Sequence, residues 1–265
     1  MMDINSKYQI NHMKKLLFCL LIVVYGFNMA SCMEIDNFDA PDAHVTGRLI
    51  DKTTGQNFIT DHGDTHIRLW EMSFSENPAP QSIPVKFDGT YNNERLFAGT
   101  YDMLPQNGPY WPADTIRNVA IGNKTVTQNF EVTPYLHITD FEAVLEGTTL
   151  TLSCRLSAPF TEMTINGNVV PLPNVLEVRP FLSLTKYCGA ANYIGEYWTN
   201  DNRVNLRRVW SRIDSDGDGV SDEVYTIIVP VKKGYTYNVR MGANVNYTDQ
   251  KFNYSEVKRI VVPNE

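Results

Sequence analysis

The densest chemistry in the sequence is the run Asp214-Ser215-Asp216-Gly217-Asp218-Gly219-Val220-Ser221-Asp222. Calcium takes about six to eight oxygen ligands at short range, and carboxylates on alternate residues of a glycine-bearing turn supply several of them. Asp214, Asp216, Asp218 and Asp222 fall at positions 1, 3, 5 and 9 of such a loop, with Gly219 at position 6. Position 12 is Tyr225 and not the usual bidentate glutamate, and a strand pattern follows it. Asp-Gly repeats are also ordinary turn chemistry. Two readings stand: a structural calcium site, and an acidic turn closed by its own hydrogen bonds.

Aromatic clusters form the second group. Tyr110 and Trp111 lie in a Pro/Gly-rich stretch, and Tyr187, Tyr193, Tyr197 and Trp198 in a Gly/Asn-rich one. The weakly positive C–H face of a sugar lies well on the negative face of an aromatic ring. Asn192, Glu196, Asn200, Asp201 and Asn202 could then bond the hydroxyls. Tyr110, Trp111, Tyr193, Tyr197 and Trp198 are therefore the candidate glycan-binding set. The competing reading is that such rings plug the ends of a sandwich or a domain interface, as is expected of Trp70 and Trp210 on strands. Cys154 and Cys188 both lie on apolar-patterned β segments. An oxidising compartment permits a bond between them, and two buried free thiols fit the sequence equally well.

Catalysis has little support. The sequence holds no Gly-x-Ser-x-Gly elbow, no His-Glu-x-x-His and no phosphate loop. His62 and His66 have helical metal-ligand spacing, but Gly63 between Asp61 and Asp64 points to a turn. With 23 Lys+Arg against 30 Asp+Glu and a formal charge of -7, a basic nucleic-acid-binding surface is not expected either. A non-enzymatic binding protein is the expectation.

The first thirty-odd residues give an address. Lys14 and Lys15 precede the aliphatic run Leu16 to Val24, and small residues follow at Ala30 and Ser31. This is the pattern of an export signal. A membrane-spanning helix needs about 20 apolar residues, and Gly26, Asn28 and Ser31 interrupt this one early. Met29-Ala30-Ser31-Cys32 resembles a bacterial lipobox, in which the cysteine is lipidated and becomes the first mature residue. The following Met33-Glu34-Ile35-Asp36-Asn37-Phe38-Asp39 resembles the acidic signal that sends such lipoproteins to the outer face of the outer membrane.

The rest of the chain has to position these groups. It holds 43% hydrophobic residues, enough for real cores. Short alternating runs broken by Gly, Pro, Asn and Asp are the signature of β-sandwiches. His44–Ile50, Ile67–Trp70, Phe97–Met103 and Thr115–Ile121 read as strands, and Thr125–Thr133 as one strand with Val126, Phe130 and Val132 on one face. Pro134 interrupts the pattern, which resumes with Leu150, Leu152, Cys154 and Leu156 on one face, then Val175–Leu184, Asn205–Ile213, Val224–Val231, Tyr235–Ala243 and Tyr254–Val262. The expected organisation is all-β: two β-sandwich domains in tandem behind a lipoprotein signal peptide. The expected bounds are 1–31 signal, 32–40 acidic tether, 41–133 first sandwich and 134–265 second.

Particular motifs resemble known families. Val45-Thr46-Gly47-Arg48-Leu49-Ile50-Asp51, Asp88-Gly89-Thr90-Tyr91, Phe97-Ala98-Gly99-Thr100-Tyr101 and Asn129-Phe130-Glu131-Val132 are similar to a carboxypeptidase-regulatory-like (transthyretin-like) sandwich. Tyr235 to Met241 and Asn253 to Val257 resemble the last two strands of a fibronectin type III-like domain. The Asp-rich loop resembles those of thrombospondin type 3 repeats and dockerins. In this order behind a lipobox, and with Gly108 to Ile116 and Val132 to Leu136, the chain resembles a two-domain Bacteroidota lipoprotein family of unknown function. That resemblance implies a surface lipoprotein of a polysaccharide-uptake system, beside a SusC/SusD-like transporter complex. The protein would hold a polysaccharide or oligosaccharide there, or dock on the transporter as a structural subunit without touching glycan.

Overall fold

The computed structural model describes residues 40–73 and 75–265. The signal segment 1–31, Cys32 and tether residues 33–39 lie outside the described residues. Residues Pro41–Glu265 form one compact unit of β structure.

Eight strands build the first sandwich: β1 (Ala43–Asp51), β2 (His66–Glu71), β3 (Gln81–Pro84), β4 (Thr90–Leu96), β5 (Gly99–Gln106), β6 (Ile116–Ile121), β7 (Val126–Thr127) and β8 (Phe130–Val132). One sheet runs β4-β1-β7, with β8 also paired to β1, and the other runs β3-β2-β5-β6. Alternation along β1 sends Val45 and Leu49 inward, where they meet Ile67, Leu69, Ile83, Tyr91 and Met103. The expected single strand Thr125–Thr133 is broken into β7 and β8, both parallel to β1. The cause lies at Gln128, whose carbonyl accepts the buried Tyr91 hydroxyl and presses on Gly47. A Cβ on Gly47 would lie 1.8 Å from that oxygen, so only glycine permits the approach.

The second sandwich faces a three-stranded sheet, β15-β10-β9, with a larger one, β14-β13-β16-β17, that β18 extends. Its strands are β9 (His137–Glu146), β10 (Thr149–Ser157), β13 (Val175–Ser183), β14 (Val204–Arg208), β15 (Tyr225–Pro230), β16 (Thr236–Val245), β17 (Phe252–Tyr254) and β18 (Lys258–Val261). A hairpin, β11 (Glu162–Ile165) and β12 (Asn168–Pro171), is inserted after β10. The expected strand Asn205–Ile213 stops at Arg208 and gives way to a 3-10 turn over Trp210–Arg212. Trp210 turns inward there and donates its indole N–H to Asp214 at 3.0 Å. Strands β13 and β16 are buried on both faces. One face meets the opposing sheet; on the other, Phe181, Phe252 and Tyr254 pack with Cys188 and Ala190 from the long β13–β14 connection.

The two sandwiches are clasped together rather than strung on a linker. The segment Pro109–Trp111 pairs with Thr133–Tyr135 through Trp111 N–H to Thr133 O (2.9 Å) and Tyr135 N–H to Pro109 O (3.1 Å). Asn253 on β17 donates to Pro109 O and accepts from Leu136 N–H. Arg240 on β16, fully buried, donates to Thr60 O at 3.1 Å and lies 3.7 Å from Asp61. Gly189 is tightly fitted here, because a Cβ would lie 2.3 Å from Arg240 and 2.5 Å from Asp61.

Candidate functional site

The structure corrects most of the aromatic set. Trp111 is 2% exposed and sits in the core of the second sandwich, although it belongs to the first by sequence. Its ring centroid lies 5.1 Å from that of Tyr135. Tyr110 is buried in the first core with its ring edge-on to Phe58 at 5.5 Å. Tyr197 is buried against Tyr237. None of these three rings can receive a sugar, because large apolar rings gain more from burial than polar loops can offer them.

Trp198 is half-buried and closed for a different reason. The Tyr193 ring stacks on it at 4.6 Å and 27°, and the Arg179 guanidinium lies 3.7 Å from its centroid. Ring and guanidinium together cover Trp198. Arg179 is fixed in turn by a two-pronged ion pair to Glu177 (2.9 and 3.0 Å), which also accepts from Arg203 at 2.6 Å. Glu177 and Arg179 are both buried, and such forked charge-assisted bonds set a guanidinium plane firmly. Of the expected set only Tyr193, 39% exposed, keeps an open face.

A depression of about 640 Å³ lies where the sandwiches meet. The turn after β1 contributes Lys52, Thr53 and Thr54, the linking segment Thr133 and His137, and the end of β10 Ser157, Pro159 and Phe160. A second depression of about 340 Å³ shares Thr54 and His137 with it and adds Asp51, Gln56, Asn57 and Glu256. Together they make a groove in which apolar surface, from Pro159, Phe160 and Met163 among others, outweighs the polar groups set into it. Phe160 is 46% exposed and, among the described residues, has no aromatic partner. In the sequence it is one apolar residue after a proline, with nothing to separate it from core.

His137 divides the two depressions. Its Nε2 lies 2.7 Å from Asp51 Oδ2, while Asp51 Oδ1 accepts from Thr53 N–H (2.8 Å) and hydroxyl (2.6 Å). Burial raises the Asp51 pKa, but the hydrogen bonds from His137 and Thr53 and the attraction of the imidazole outweigh it, leaving about 2. The pair thus ties the last residue of β1 to the first of β9 at the floor of the groove.

The Asp-rich loop touches the larger depression through Gly219. Ala158 N–H donates to Gly219 O, Ser221 N–H to Leu156 O, and Ser157 bridges Val220. Carboxylate oxygens of Asp214, Asp216 and Asp218 come within 4.8 Å of one another. Asp222 does not join them, because its carboxylate accepts from Ser215 N–H and hydroxyl. Asp214 is buried and accepts from Trp210 Nε1 and the amides of Gly217, Asp218 and Gly219. These bonds close the loop internally, and Gly217 and Gly219 adopt φ of 77° and 87° to permit it. The remaining oxygens of Asp216 and Asp218, both exposed, are the ones suited to a hard cation.

Of the two alternatives open for the cysteines, the structure has the buried free thiols: Cys154 and Cys188 are not bonded to each other. Cys154 faces the core between the two sheets, whereas Cys188 lies in the cluster on the outer side of β13 and β16, with its thiol against Phe181 O and Asn238 O. Burial pushes both thiols up to about 12, so neither is a ready nucleophile.

Residues 43–133 match the family model for the N-terminal domain of DUF3823, a protein of unknown function. A comparison with curated proteins gives no match. Among solved structures, a DUF3823 family protein from Bacteroides uniformis superposes with a TM-score of 0.69 at 22% identity, covering 84% of this chain and 100% of that one. A second protein from that species, described as a proposed carbohydrate binding protein, gives 0.66 at 21% over 83% and 99%. A DUF3823 family protein from Parabacteroides merdae gives 0.58 at 22% over 84% and 100%. The first sandwich thus matches DUF3823, and the described chain has the all-β fold of solved proteins of that family.

Proposed function

We propose that this protein is a non-catalytic carbohydrate-binding lipoprotein, carried on Cys32 at the outer membrane, that grips a glycan chain in the groove between its sandwiches. The observation that carries the reading is Phe160: a half-exposed aromatic ring in a depression whose mainly apolar lining also holds Thr53, Thr54, Thr133, Ser157 and His137. An apolar platform beside hydroxyl and imidazole groups is the composition that sugar recognition needs. A clasped junction suits it too, since a preformed groove costs little ordering on binding. The likeness to a proposed carbohydrate binding protein of the same fold is in keeping with this use. A calcium ion on Asp216 and Asp218 would brace the loop that touches the groove through Gly219.

Isothermal titration and affinity electrophoresis against a panel of neutral and acidic polysaccharides test the reading. Phe160→Ala is expected to weaken binding by about 1 kcal/mol, roughly fivefold, with an unchanged Tm. Absence of binding to every glycan in the panel would overturn it. Mass spectrometry of protein taken from native membranes tests the acylated Cys32.

A structural role on an outer-membrane SusC/SusD-like transporter is favoured by one feature. Val144, Thr151 and Ile228 sit opposite one another on β9, β10 and β15, and Val144 and Ile228 are 48% and 60% exposed. An apolar row on an open sheet face fits a protein contact. Ile228→Lys should then reduce co-purification with the transporter and leave glycan binding intact.

A further inference from the structure

We infer that the sugar held in the larger depression carries a negative charge, a carboxylate or a sulfate. This rests on the carbohydrate-binding reading of the groove and narrows its substrate class. The chain as a whole is acidic, yet no carboxylate lines this depression. Its charged lining group is Lys52, together with the imidazole of His137. Among the described residues Lys52 forms no ion pair. Its sequence neighbour Asp51 cannot serve it, because both Asp51 oxygens are held by Thr53 and His137. Asp218 precedes the lining residue Gly219 but does not itself line the depression, and one of its oxygens accepts from the Val220 amide.

An exposed ammonium with no ion-pair partner among the described residues, at the edge of a mainly apolar depression that also holds Thr54, Thr133 and Ser157, is a ready receptor for an anion. The ammonium supplies a charge-assisted bond and hydroxyls fill the remaining acceptor positions. Phe160 would take the ring of the same sugar. A neutral sugar makes no use of the charge, whereas a uronate or sulfated sugar is both attracted and oriented by it.

The experiment compares matched pairs by isothermal titration on the intact protein: tetragalacturonate against its methyl ester, and a sulfated carrageenan tetrasaccharide against its desulfated twin. The expected result is a preference of about tenfold for at least one charged member, the size of one hydrogen bond to a charged group. The preference should shrink as salt rises to roughly 0.5 M, because an exposed charge is screened. Lys52→Gln should erase it. Which charged member is preferred separates the carboxylate from the sulfate. Equal binding of twins, or a preference untouched by Lys52→Gln, overturns the inference, as does binding of neutral panel glycans with neither charged probe bound. If no glycan of any charge binds, the carbohydrate-binding reading falls with it.

Discussion

At the aromatic stack Trp198 lies against both the Arg179 guanidinium and the Tyr193 ring; at the groove Phe160 has, among the described residues, neither ring nor cation against it. The stack holds more of the residues associated with sugar binding and offers less open surface. Aromatic rings placed close in sequence find one another first, since ring-on-ring and cation-on-ring contacts are each favourable without any ligand. Phe160, just past the end of β10 beside a proline and a threonine, has no such partner among the described residues. A dense aromatic cluster in a sequence therefore points to packing, and an isolated ring beside polar strand ends is the better mark of a contact surface.

The contrast can be broken or sharpened by mutation, starting from the strongest effect. Trp111→Ala removes a ring buried in the second core and should destabilise the whole unit by about 3–5 kcal/mol, read as a fall in the denaturant midpoint. A small change there would mean that the junction is not the clasp described. Calcium should raise the Tm by way of the loop beside Phe160: at ten times its Kd an ion binding only the native state adds about 1.4 kcal/mol. Asp216→Asn combined with Asp218→Asn should abolish that response, and no response in the parent protein would leave the loop as a turn.

Acid acts on the groove floor. The Asp51 pKa falls from its ordinary 3.8 to about 2 on folding. Its contribution is thus fully present above about pH 4 and is lost as the pH drops through about 2. Asp51→Asn should remove that part of the acid-induced loss of stability, as followed by circular dichroism between these values. Replacing the two open rings compares the regions directly and has the smallest effect. Tyr193→Ala should cost about 0.5–1.5 kcal/mol of stability through the lost stack and leave glycan affinity as it was, the reverse of Phe160→Ala. Equal losses of affinity in both variants would put the stack back in the binding surface.

Much of the fold could be read directly. Period-two alternation in Val45–Leu49 and Leu150–Leu156 marks strands with one buried face, and these became β1 and β10. The misreadings have identifiable causes. Thr125–Thr133 alternates cleanly, but the approach of Gln128 to Gly47 divides it. Asn205–Ile213 reads as a strand, but Trp210 leaves the sheet to bond Asp214. Trp111 crosses into the other core through a pairing of segments over twenty residues apart. The Asp-rich loop was visible at once, whereas the departure of Asp222 from its carboxylate group follows from Ser215, a neighbour whose geometry spacing does not give.

By itself the sequence determined the all-β class and the acidic loop, along with the residues able to stack on a sugar, because side-chain type and period depend only on local order. Tertiary structure alone decided which rings stay open, that Cys154 and Cys188 lie on opposite sides of a sheet, and that Lys52, His137 and Phe160 share one groove. Those outcomes depend on which surfaces of distant segments meet, and burial is awarded to the partners that fit best once the chain has closed on itself.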